Sequence, residues 1–159
     1  MRVLVAGHRG YIGAVLAPFL REAGHDVDGI DLGLYEGCDL GPVPPDPGAL
    51  PPSDIRDSDP AQLRGYDAVA CLAALSNDPL GDLNPAATYS INLDGTLQLA
   101  RAAKAAGVER FLFASSCSLY GAAGSAGVAE DAELFLVTPY GEAKVVAERE
   151  LSLLAVSDC

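Results

Sequence analysis

Arg2-Val3-Leu4-Val5-Ala6-Gly7-His8-Arg9-Gly10-Tyr11-Ile12-Gly13 is the stretch whose reading decides the fold. Arg2 to Ala6 is a short apolar run of the kind that forms a buried strand. Gly7, Gly10 and Gly13 follow it. Ile12, Val15, Leu16, Phe19 and Leu20 then recur at helical spacing, and Gly24 closes the helix. Val27 to Asp31 is a second short strand that ends in an acid. Each glycine has a separate task in such a strand–turn–helix. Gly7 permits the tight turn, Gly10 lets a pyrophosphate approach the backbone, and Gly13 lets the helix pack closely on the strand. The helix start offers free N–H groups and the positive end of a dipole to phosphate. Asp31, at the end of the second strand, is placed to accept both hydroxyls of an adenosine ribose.

Outward from this unit the same alternation continues. Six of the 11 prolines fall between Pro42 and Pro52, which marks a surface loop, and a third strand expected between Gly33 and Ser53 is short or distorted. Ala68 to Ala74 reads as an apolar strand and Phe111 to Ala114 as another. Pro85 to Ala106 reads as a long helix capped by Gly107, with Ile91, Leu93, Leu97, Leu99 and Ala100 as buried candidates. Pro139 to Leu154 is a final helix with Thr138 as N-cap and Pro139 in the first turn. Short apolar strands alternating with helices give an α/β fold, a Rossmann-type doubly wound parallel sheet with helices in layers on both faces. The 159 residues make one domain, residues 1–159, with no internal repeat.

Composition narrows the partners. Ten Lys and Arg against 22 Asp and Glu leave a net charge of −12, which repels phosphate backbones and anionic membrane surfaces, so no nucleic acid and no membrane is expected. The apolar start Val3-Leu4-Val5 is too short for a signal-peptide core, and a cytoplasmic setting with reduced thiols is the expectation. Cys38, Cys71, Cys117 and Cys159 show no Cys-x-x-Cys spacing, and with only two histidines no metal site is expected.

A second constellation is Ser116 with Tyr140 and Lys144. Tyr140 and Lys144 are four apart on one helix and share a face. A cation beside a phenol stabilises phenolate, and a phenolate near neutral pH takes a proton from a substrate hydroxyl. Ser116, from the end of the Phe111 to Ala114 strand, can hold the same oxygen.

These segments together resemble the extended short-chain dehydrogenase/reductase family of NAD-dependent sugar-nucleotide epimerases and dehydratases. Val5 to Gly13, Asp31-Leu32, Asp54-Ile55-Arg56-Asp57, Leu72-Ala73-Ala74, Asn92-Leu93-Asp94-Gly95-Thr96, Ser115 to Gly121 and Pro139 to Lys144 carry the resemblance in order over the whole chain. It implies that Gly7, Arg9, Gly10, Tyr11, Ile12 and Gly13 form the pyrophosphate loop. It implies that Asp31 and Leu32 meet the adenosine ribose, that Asp54 and Ile55 flank adenine, and that Leu72, Ala73, Ala74 and Asn92 lie beneath the cofactor. Ser116, Tyr140 and Lys144 become the catalytic set, Tyr140 as base, with Tyr140 and Lys144 also against the cofactor. Lys144 holds the nicotinamide ribose while tuning Tyr140. The implied chemistry is proton removal from a nucleotide-sugar hydroxyl with hydride transfer to NAD.

Departures from the family refine this. Its 4,6-dehydratases carry an Asp-Glu pair where this chain has Cys117 and Ser118, which weakens a dehydratase outcome. The Gly-His-Arg-Gly loop is similar to that of GDP-fucose synthases, whose loop arginine helps hold an NADP phosphate, yet Asp31 opposes a 2′-phosphate, so NAD is the expected cofactor and NADP the lesser. The alternatives are a ketoreductase or dehydrogenase on a non-sugar small molecule, or a catalytically silent NAD-binding module. The resemblance further implies a homodimer through the two long helices, and a C-terminal substrate region beyond the Tyr140–Lys144 helix, so that the chain reads as truncated.

Overall fold

The computed structural model describes residues 1–38, 41, 54–76, 78–121 and 127–156. In chain order the elements are β1 (Arg2–Ala6), α1 (Gly13–Glu22), β2 (Asp26–Ile30), β3 (Ala68–Cys71), α2 (Asp78–Leu83), α3 (Pro85–Tyr89), a π-helical turn (Ser90–Gly95), α4 (Thr96–Ala106), β4 (Arg110–Phe113) and α5 (Pro139–Val156). They fall into two compact units, Met1–Ala73 with Gln98–Ala114 and Ala74–Leu97 with Ser115–Cys159.

The first unit is a four-stranded sheet in the order β2-β1-β3-β4, parallel throughout. Val3 pairs with Val27 on one side and Ala68 on the other, and Ala68 with Arg110 beyond. A strand buried on both faces needs no polar alternation, which is why β1 and β3 read as unbroken apolar runs. The period of two survives in the packing. Val3, Val5, Ala68 and Ala70 face the α1 side with Val27 and Ala17. Leu4, Ala6, Val69 and Cys71 face the other side, against Leu99, Ala102 and Ala103 of α4 and against Ile55, Leu63 and Tyr66. Both faces of the parallel sheet are therefore covered, as the doubly wound reading requires. The third strand expected between Gly33 and Ser53 falls largely on residues 39–40 and 42–53, outside the described residues. The described residues between β2 and β3 form only short 3-10 turns at Ile55–Asp57 and Pro60–Leu63.

Helix α1 corrects one detail of the sequence reading. Its buried line is Gly13 and Ala17 with Leu16 and Leu20 half-buried, while Ile12, Val15 and Phe19 are exposed. Small residues at i and i+4 let the helix axis approach the sheet, and the larger residues flanking that line are lifted away from it. Gly24, at φ +86°, ends the helix, with its N–H donating to the Arg21 carbonyl and that of His25 to the Leu20 carbonyl.

At the other end of β1, Arg2 lies 4.4 Å over the Tyr66 ring and donates to Asp28 at 2.9 Å, while the Tyr66 hydroxyl donates to the same carboxylate at 2.6 Å. Burial and the Asp28 hydrogen bond push the Tyr66 phenol above its ordinary range.

The second unit is helical. The expected helix from Pro85 to Ala106 exists as α3, the π turn and α4 in unbroken succession, its residues from Gln98 onward belonging to the first unit, and it is started by Asn84, which accepts from the Ala87 N–H. Helix α5 begins where expected, with Thr138 Oγ1 accepting from the Gly141 N–H at 3.2 Å. The Tyr89 hydroxyl on α3 donates to Glu142 on α5, and this bond raises the Tyr89 phenol. Among the described residues no helix is long and apolar enough to cross a membrane.

Candidate functional site

In the first unit the strand β1 delivers the chain into a loop with almost no free space. Gly7 has φ +86°, and a Cβ there would stand 2.7 Å from the Ala73 nitrogen. A Cβ on Gly13 would stand 2.1 Å from the Gly7 oxygen and 2.6 Å from the His8 Cα. His8 is buried, and its ring lies so close over β2 that a Cβ on Gly29 would meet its Cγ at 2.3 Å. Gly10 closes the turn with its N–H on the Gly7 carbonyl at 3.1 Å. Among the described residues the Tyr11, Ile12 and Gly13 N–H groups take no protein acceptor, and Tyr11 is 97% exposed. A bare backbone with open amides at a helix start is the surface a pyrophosphate needs.

Asp31 follows β2 directly. One carboxylate oxygen accepts from the Arg9 N–H at 3.0 Å and the other from the Gly33 N–H at 2.8 Å. Each oxygen keeps a lone pair, so the carboxylate is oriented yet can still accept two hydroxyls. The Arg9 guanidinium reaches to 3.2 Å from where a Cβ on Gly33 would stand, and Leu32 is exposed beside it.

Asp54 and Ile55 are committed elsewhere. Asp54 caps the turn Ile55–Asp57 and is gripped by Arg56, with Nη2 at 2.6 Å and Nε at 3.0 Å, which holds its carboxyl below the usual carboxylate range. Ile55 is a core side chain, 5% exposed. Any contact of this pair with a base therefore runs through their backbone or the outer edge of the turn. Leu72 continues the ladder past β3, its N–H donating to the Ala6 carbonyl at 2.8 Å, and Ala73 lies against Gly7.

The second unit carries Ser116, Tyr140 and Lys144. Tyr140 and Lys144 are both buried on α5, at 8% and 3% exposure, with the Lys144 ammonium 5.8 Å from the Tyr140 ring centre. Ser116 stands at the start of the 3-10 turn Cys117–Tyr120, and its hydroxyl accepts from the Ser118 N–H at 3.2 Å. Asn92, fully buried in the π turn, spends its side chain on one residue, accepting from the Leu75 N–H at 2.8 Å and donating to the Leu75 carbonyl at 3.0 Å. It fixes the loop that follows Ala74. A π turn inserts a residue into the helical ladder, and such turns recur at functional sites.

Two residues here escaped the sequence reading. Gly81 of α2 is buried, and a Cβ on it would stand 3.1 Å from the Tyr140 Cβ. Asp78 accepts from both the Ser118 and the Thr138 hydroxyls. A lone glycine and a lone acid in an acid-rich chain carry no periodic signal.

A parallel sheet with a glycine-lined first turn and an acid at the end of its second strand defines a Rossmann-type dinucleotide-binding fold. The chain belongs to the NAD dependent epimerase/dehydratase family, whose model matches residues 3–156. It is similar to UDP-glucose 4-epimerase of Lactobacillus helveticus, at 34% identity over 94% of this chain and 46% of that protein. It is similar to 3 beta-hydroxysteroid dehydrogenase/Delta 5-->4-isomerase of Mycobacterium tuberculosis, at 33% identity over 93% of this chain and 41% of the other. The solved UDP-glucose-4-epimerase from Stenotrophomonas maltophila with bound NAD and formylated UDP-arabinopyranose superposes with a TM-score of 0.87 at 32% identity, over all of this chain and 50% of its own. The chain thus spans about half the length of the relatives it matches.

Proposed function

We propose that this chain is the cofactor-binding half of an NAD-dependent enzyme acting on a nucleotide sugar, with Tyr140 as its base. The observation that carries the reading is the buried Tyr140–Lys144 pair on α5, in a chain whose glycine loop and Asp31 fit a dinucleotide. The Tyr11, Ile12 and Gly13 amides and the Gly10 backbone hold the pyrophosphate. Asp31 takes the adenosine ribose hydroxyls, and a 2′-phosphate there would meet its charge, which selects NAD over NADP. Lys144, with its ammonium 5.8 Å from the Tyr140 ring centre, would hold the second ribose. Bound NAD supplies a two-electron hydride acceptor. Tyr140 Oη removes the proton of the substrate hydroxyl while Ser116 Oγ holds that oxygen, so that the chain's contribution is orientation and proton transfer.

A second reading has the same residues serving a non-sugar alcohol, and the likeness to the mycobacterial hydroxysteroid dehydrogenase favours it. Association into a homodimer through α3–α4 and α5 belongs to either reading. Leu153 is exposed on α5 for such a contact, whereas Leu97 and Val145 are buried within the chain. The test incubates the protein with NAD+ and UDP-, GDP- and dTDP-sugars beside a panel of secondary alcohols. Absorbance reports NADH and chromatography reports new sugars. Turnover of a nucleotide sugar that Tyr140→Phe abolishes supports the first reading, and turnover of alcohols alone supports the second.

A further inference from the structure

Asp78, the first residue of α2, sits where two segments meet within the second unit. Its Oδ2 accepts from the Ser118 hydroxyl at 3.0 Å and its Oδ1 from the Thr138 hydroxyl at 2.5 Å. Both residues make a second contact close to a residue of the proposed chemistry. Ser118 donates its N–H to the Ser116 hydroxyl, which caps the turn Cys117–Tyr120. Thr138 caps α5 by accepting from the Gly141 N–H, two residues after itself comes Tyr140, and a Cβ on Gly141 would stand 3.3 Å from the Ser118 carbonyl. A hydroxyl is a rotor, and a carboxylate oxygen that accepts its hydrogen bond fixes which way its lone pairs point. One carboxylate thereby orients the Thr138 cap of α5 and anchors Ser118, whose N–H donates to the Ser116 hydroxyl.

We propose that Asp78 is a positioning residue that fixes Ser116 and Tyr140 relative to each other by holding the Ser118 and Thr138 hydroxyls. It does so without touching substrate or cofactor. The proposal rests on the reading of Ser116 and Tyr140 as the catalytic pair, and its test is arranged so that the two fail separately.

Hydrogen exchange of the folded chain, followed residue by residue, reads the clamp without any turnover. In Asp78→Ala the Ser118 and Gly141 amides exchange faster, by about fivefold each for the loss of a cap, while the Val5 amide in β1 keeps its rate. Asp78→Asn retains one acceptor oxygen and restores protection at one of the two amides. With a nucleotide sugar and NAD+, Asp78→Ala lowers kcat about 10- to 100-fold, the scale of a misplaced catalytic group, and leaves the dissociation constant for NAD+ unchanged. Unchanged exchange at both amides overturns the proposal. So does faster exchange that extends equally to Val5, which would make Asp78 a general stability element. Faster exchange with kcat intact overturns it as well. A full-length wild-type enzyme without turnover on any substrate contradicts the proposed function, and the exchange rates still decide the clamp.

Discussion

Gly7→Ala and Gly24→Ala separate two reasons for a glycine, because both positions have φ +86° and differ only in their surroundings. Nothing lies within 4 Å of a Cβ added at Gly24. That variant bears the left-handed backbone alone, about 1–2 kcal/mol, offset by about 0.4–1 kcal/mol of lost unfolded-state freedom. It should lose roughly 1 kcal/mol. At Gly7 the added carbon stands 2.7 Å from the Ala73 nitrogen and 3.0 Å from the Leu72 carbonyl carbon, both backbone atoms of the strand end beyond β3. Neither can rotate away, so an overpacking cost of about 1–3 kcal/mol adds to the strain. Gly7→Ala should therefore unfold at a lower urea concentration than Gly24→Ala, the gap being about 1–3 kcal/mol, or roughly 2–12 °C in melting temperature at this chain length. Urea and thermal unfolding followed by circular dichroism measure it. The loop that must shift is the one with the open amides, so Gly7→Ala also loses affinity for NAD(H) while Gly24→Ala keeps it. Equal stability losses in the two variants would refute the claim that the loop is pressed against the strand end.

Four further expectations follow from the same geometry. Tyr140→Phe in an active full-length form loses about 10²–10⁴-fold in turnover with NAD(H) affinity nearly intact, and Ser116→Ala loses less, both read by steady-state kinetics and calorimetry. Tyr66→Phe removes the hydroxyl from Asp28 and costs about 1–3 kcal/mol in urea unfolding. Because Arg56 depresses the Asp54 carboxyl, that pair stabilises the fold above the ordinary carboxylate pKa of about 3.9 and ceases to as the pH falls through the folded value. The stability gap between wild type and Arg56→Gln should accordingly shrink as unfolding is measured at successively more acidic pH. Light scattering should find a homodimer, and a 16.3 kDa monomer at high concentration would count against that contact.

The sheet was legible because its signal is local. β1 stands at Arg2–Ala6 as read, and the strand at Ala68 ends at Cys71, earlier than the apolar run that extends to Ala74. The run continues because Leu72 and Ala73 pack against the cores on the two faces of the sheet, so hydrophobicity outlasts the regular strand. The π turn was not legible. Ser90–Gly95 contains weak helix formers such as Asn92, Asp94 and Gly95, which mark no particular turn type, and the π turn is held by Asn92 reaching Leu75, a contact 17 positions away in sequence. In the candidate site, the glycines, Asp31, Tyr140 and Lys144 can be named from sequence because the chemistry proposed for them comes with a fixed spacing. For Asp54 the structure adds what spacing does not show, that Arg56, two positions on, holds its carboxylate. Asp78, Gly81 and the seat of His8 on Gly29 depend on which segments the fold brings together, and no spacing encodes that.

The most direct test of the account is calorimetric titration of this chain with NAD(H) and NADP(H), on wild type and on Asp31→Ala. The glycine loop with open amides and the oriented Asp31 carboxylate predict that NAD(H) binds, weakly for the chain alone, and more tightly than NADP(H). They predict that Asp31→Ala narrows the difference by weakening NAD(H) and removing the charge opposed to a 2′-phosphate. Wild type that binds neither dinucleotide, or binds NADP(H) as tightly as NAD(H), would contradict it.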